Sequence, residues 1–124
     1  MADVANNGKT VIICNHDDED SIMPTLVMGA SAVSVGDDVI LFFSPNGSRA
    51  LLKGELERIG QPKGLPEAVG LFDTIRANGG RVILCELALA ARDIRAEDLR
   101  EGVEIMKAPS FLLDAQGAGM TFTF

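Results

Sequence analysis

The chain has 124 residues, 47% hydrophobic and 23% charged, enough for one domain with a real core and too apolar for wholesale disorder. Its formal charge of −7 opposes general binding to nucleic acid or to an anionic membrane surface. With no Trp and no Tyr, it offers no aromatic platform on which bases or sugars could stack.

Residues 1–8 read as a flexible lead-in, polar and without the basic and apolar regions of a signal peptide. No apolar run approaches the roughly 18 residues of a membrane span. A cytoplasmic protein is expected, with its two cysteines as free thiols rather than a structural disulfide.

Residues 10–14 form a short apolar run of the doubly buried strand type, broken by the polar, cap-forming stretch 15–21. Residues 22–35 follow as a helix with Pro24 in its first turn and Gly36 as its stop. A second buried strand covers 38–44, and residues 45–48 are loop chemistry. Residues 49–59 carry a weak amphipathic helix interrupted at Gly54, followed by a loop over 60–64. From Pro66, the spacing of Ala68, Leu71, Phe72 and Ile75 predicts a helix that Asn78, Gly79 and Gly80 end. Residues 81–85 are the third strand, 86–91 a short helix, 92–96 a turn and 97–100 one more helical turn. A fourth strand at 103–106, a helix at 109–115, a glycine turn and a final strand at 120–124 complete the chain. Alternating strands and helices predict an α/β domain over residues 9–124, its mainly parallel sheet of about five strands covered on both faces.

In such sheets, reactive groups sit beyond the carboxyl ends of the strands, where this chain has Cys14, Ser44 and Cys85. Cys85 is the first candidate. A helix beginning just after it, with Arg92 and Arg95 nearby, would favour the thiolate, and the adjacent Glu86 would oppose it. The competing reading is a buried cysteine acting as a small hydrophobe. Cys14 is a second candidate thiol in a worse setting, since Asp17, Asp18, Glu19 and Asp20 disfavour its anion. The two thiols could form a redox pair only if their α-carbons lie within about 7 Å. His16 is the only histidine, and the acidic run beside it reads as a solvated helix cap rather than a metal site, so no metal or cofactor is expected. The 44–48 loop lacks the glycine patterns of nucleotide-binding turns, which leaves a small anionic ligand there as an alternative function.

The run Gly80-Arg81-Val82-Ile83-Leu84-Cys85-Glu86-Leu87-Ala88-Leu89-Ala90, followed by Arg92-Asp93-Ile94, Glu97-Asp98-Leu99 and Gly102-Val103-Glu104, resembles the DsrE/DsrF-like family of small sulfur-metabolism proteins. The order of the N-terminal strand, long helix and second strand fits as well. The resemblance implies a three-layer flavodoxin-like or Rossmann-like domain assembling as a homo-oligomer, a trimer or hexamer. It implies that Cys85 carries sulfur as a persulfide, exchanged with a small carrier protein resembling TusA or another thiol donor or acceptor. Glu86 and the acidic run after Cys14 depart from an ideal thiolate setting.

Overall fold

In the computed structural model, which describes residues 8–124, five strands form a single parallel sheet. They are β1 (Lys9–Cys14), β2 (Asp38–Phe43), β3 (Arg81–Cys85), β4 (Val103–Met106) and β5 (Met120–Thr123), in the spatial order β4-β3-β2-β1-β5. The expected lead-in over residues 1–8 lies outside the described residues except for Gly8, whose carbonyl accepts the Asp38 N–H. The helices are α1 (Glu19–Ser34), α2 (Glu55–Ile59), α3 (Ala68–Ala77), α4 (Leu87–Ala91) and α5 (Ala108–Ala115), with 3-10 segments at Pro45–Leu51 and Ala96–Asp98.

The two faces of the sheet are covered unequally, and chain direction explains why. The strands advance from β1 to β4 in one direction, so right-handed crossovers bring successive helices to the same face. There Ile12, Cys14, Leu41, Phe43, Val82 and Leu84 pack with Ile22, Met23 and Leu26 of α1 and Phe72 and Ile75 of α3. The return from β4 to β5 must cross the other face, and α5 makes that crossing. On this face Val11, Ile40, Phe42, Ile83 and Cys85 meet Phe111, the only buried residue of α5. The Phe111 ring stacks on Phe42 at 4.0 Å.

Polar bonds tie down the carboxyl end of α5. The Lys9 ammonium donates to the carbonyls of Asp114 and Gln116, each at 2.8 Å. Arg81 donates two bonds to Glu104 on β4 and a third to Asp114, which joins two strands to the helix. On the opposite face, Arg100 holds Glu57 through two bonds at 2.7 and 2.8 Å and lies over the Phe72 ring.

Three segments differ from their sequence reading. Helix α1 starts at Glu19, because extended Asp18 offers its carbonyl to Ser21 and Ile22 and acidic Glu19 and Asp20 suit the positive helix end. Pro24 therefore stands in the second turn, and the carbonyl its missing N–H leaves free belongs to exposed Asp20. The helix expected over 49–59 is instead a 3-10 segment and the short α2, because Gly54 is left-handed (φ 85°) and cannot continue a helix. The turn expected at 97–100 is the 3-10 segment Ala96–Asp98, closed by the Asp98 carboxylate accepting the Arg95 N–H.

Asp93, just beyond α4, is left-handed (φ 53°), and past it the Ile94 N–H donates to the Leu89 carbonyl, closing the helix in a Schellman-type turn. Asp93→Gly should raise stability by up to about 1 kcal/mol in denaturant unfolding, since glycine adopts this conformation without a Cβ penalty. Acid should destabilise the fold through its arginine-paired carboxylates. The Arg100 guanidinium holds the Glu57 carboxyl at about 2, and Arg81 lowers that of Glu104. A carboxyl depressed in the folded state contributes stability above its ordinary value of about 4.3 and loses it as pH falls toward the folded value. Melting temperature should therefore fall between about pH 5 and pH 2, and Arg100→Gln should flatten that fall.

Candidate functional site

Cys85 closes β3, a strand flanked by β2 and β4, and its backbone register partner is Met106 on β4. Only 4% of the residue is exposed. Its side chain belongs to the apolar cluster beneath α5, with Phe42, Phe111 and partly buried Met106. Helix α5 contributes buried Phe111 and partly buried Ala115 to the cluster that holds this thiol. The next residue, Glu86, donates its backbone N–H to the Met106 carbonyl at 2.9 Å, which fixes the exit of the chain from the strand.

The charges that the sequence places around Cys85 are engaged elsewhere. Arg95 pairs with Glu97 and Asp98 at 3.5 and 3.7 Å. Arg92 donates to the Asn46 side-chain oxygen in the loop after β2. The following helix, α4, has five residues, too few to develop the field of a longer helix. Burial among apolar side chains, more than neighbouring charge, thus defines the setting of this thiol.

Cys14 is fully buried, and its thiol donates to the His16 carbonyl at 3.3 Å. Burial pushes this thiol above its ordinary value, and the charges of Asp18 and Asp17 push the same way; hydrogen bonding from the Thr25 side chain and the His16 backbone opposes them. The residue packs with α1 as part of the core. The two thiols point to opposite faces of the sheet, Cys14 toward α1 and Cys85 toward α5. Strand β2 lies between their strands, so two inter-strand steps separate their α-carbons by roughly 10 Å. That exceeds the roughly 7 Å reach of a disulfide, and the geometry does not support a Cys14–Cys85 pair.

Beyond the strand ends the loops meet in a polar rim. The Ser44 hydroxyl donates to the Asn15 side-chain oxygen, and the Ser44 N–H donates to the Cys14 carbonyl. The 3-10 segment lies so close to β1 that a Cβ on Gly47 would come within 2.5 Å of the Cys14 oxygen. Glycine is required at that approach. His16 is exposed, and among the described residues no group of three His, Cys, Asp or Glu side chains is placed to hold a metal. Phe42, Phe111 and Met106 around Cys85, and Asn46 beside Arg92, were not singled out by sequence. The first three read as ordinary core residues, and the fourth as a turn residue.

The comparisons with known proteins agree with this architecture. Uncharacterized protein MJ0760 of Methanocaldococcus jannaschii is 33% identical over 88 residues, which are 71% of this chain and 32% of that protein. The chain thus spans about a third of the length of that curated relative. Among solved structures, the YchN protein of E. coli superposes with a TM-score of 0.76 at 22% identity, covering 94% of this chain and 99% of that one. MTH1491 of Methanobacterium thermoautotrophicum, a protein of unknown function, gives 0.73 at 16% identity with the same coverage. Both share the fold. Residues 8–122 match the DsrE/DsrF-like family, and the chain belongs to that family.

Proposed function

We propose that the protein is a sulfur carrier or sulfurtransferase that holds sulfane sulfur as a persulfide on Cys85 and exchanges it with a partner thiol protein. Membership in the family supports a role related to sulfur relay. The observation that favours Cys85 is its place at a strand end in the smaller cluster, under a helix with one buried side chain, in contrast to Cys14, which is locked into the main core. In the loading step the Cys85 thiolate attacks the terminal sulfur of a donor persulfide. A new S–S bond forms on Cys85, the donor S–S bond breaks, and the donor thiolate leaves and takes up a proton. No net oxidation or reduction is involved. Unloading is the same exchange with an acceptor thiol.

The partner in this reading is a small carrier protein of the TusA type or another thiol donor or acceptor, with a basic surface to meet a chain of charge −7. The protein works as a homo-oligomer, a trimer or hexamer, in the reducing cytoplasm. The exposed Leu112 and Leu113 of α5 supply apolar surface for such contacts. No helix among the described residues is long and apolar enough to cross a membrane.

Incubation with a sulfane-sulfur donor, followed by intact mass measurement, should show one added sulfur on wild type and on Cys14→Ser, and none on Cys85→Ser. No gain on wild type, or an equal gain on Cys85→Ser, rejects the assignment. Phe111→Ala should speed alkylation of Cys85 by opening its cover, while lowering stability by roughly 3 kcal/mol. Unchanged alkylation in that variant would mean that α5 does not limit access to the thiol.

A further inference from the structure

A cavity of about 230 Å³ lies beside the strand ends, lined by Asp17, Ser48, Arg49, Leu52, Arg92 and Ile94. Cys85 does not line it, and the sulfur chemistry does not use it. Its walls are held by local constraints. The close approach at Gly47 fixes the 3-10 segment that carries Ser48 and Arg49 against the end of β1. The left-handed turn at Asp93 sets the backbone on either side of it, at Arg92 and Ile94. Ser48 is 2% exposed and its hydroxyl donates to the Pro45 carbonyl, so that wall is already formed.

The charges in the cavity are incompletely matched. Arg49 is paired with Glu55 at 3.3 Å. Among the described residues, Arg92 has no carboxylate partner and donates to the neutral amide oxygen of Asn46. Asp17 also forms no ion pair among the described residues. One cation and one anion without an ion-pair partner among the described residues thus line this space with the apolar side chains of Leu52 and Ile94.

We propose that this cavity binds a small zwitterion of the amino-acid class, its carboxylate on Arg92, its ammonium on Asp17 and its side chain against Leu52 and Ile94. A guanidinium offers a carboxylate two parallel N–H donors, and a carboxylate accepts from an ammonium. An anion without an amine meets repulsion from Asp17, and an amine without a carboxylate meets repulsion from Arg92. The volume is below the roughly 300–1,000 Å³ of pockets for larger ligands, so the space between the walls suits a small molecule.

Isothermal titration of the full chain with L-alanine, L-valine, acetate, ethylamine and inorganic phosphate tests the assignment. Saturable binding of at least one of the two amino acids is expected, with acetate, ethylamine and phosphate weaker by about tenfold or more. Arg92→Gln and Asp17→Asn should each weaken amino-acid binding by about tenfold while leaving the melting curve in place. Cys85→Ser should bind as wild type does, which separates this site from the sulfur-carrying role. Absence of saturable binding by both amino acids, acetate or phosphate binding as tightly as they do, or unaltered binding by Arg92→Gln would overturn the proposal.

Discussion

The handedness of strand crossovers is the constraint on which the rest of the molecule depends. Four strands laid down in one direction deliver α1 and α3 to one face and leave the other to a single return segment. The first face becomes a continuous core in which Ile12, Leu41, Phe43 and Leu84 are almost wholly inaccessible. The second is closed by eight residues and one ring stack. A cysteine on the first face is structural by its surroundings, whereas one on the second lies near the surface while remaining dry.

The pleat of the sheet then decides which cysteine takes which role. Side chains alternate between faces with a period of two, so a residue's parity within its strand fixes its side. Cys14 falls in phase with Ile12, and Cys85 in phase with Ile83. Both cysteines end strands of the same sheet, and both look equivalent when each strand is viewed alone. Registered against β2, they are opposed, and β2 itself stands between them.

Much of the fold was legible because its elements are strongly patterned. The apolar runs at 10–14, 38–44 and 81–85 read as buried strands and form β1, β2 and β3, and Asn78, Gly79 and Gly80 mark the end of α3. The fate of residues 49–59 was less legible, because Gly54 is tolerated within a helical pattern on paper, whereas here its left-handed backbone separates two short elements. At the candidate site, sequence put Cys85 at the end of a strand, where β3 has it, but misjudged what surrounds it. Proximity along the chain put Arg92 and Arg95 next to the thiol, while the structure pairs the first with Asn46 and the second with its own downstream acids. Packing partners such as Phe111, 26 positions away in sequence, are fixed by topology and carry no local signal.

The anchoring of α5 has a directional consequence. Its carboxyl end is held to the base of the sheet by Lys9 and Arg81. Its amino end starts at Ala108, two residues past Met106, the register partner of Cys85, and the preceding Lys107 supplies no side-chain cap. A helix pinned at one end and uncapped at the other frays from the uncapped end, because opening there breaks the fewest bonds. Fraying from that end reaches Phe111 before it reaches the ionic clasp. The rest of the sheet need not take part. Opening of the first turn of α5 would thus disturb the residues next to Met106, the register partner of Cys85, before any bond of the Lys9 and Arg81 clasp breaks.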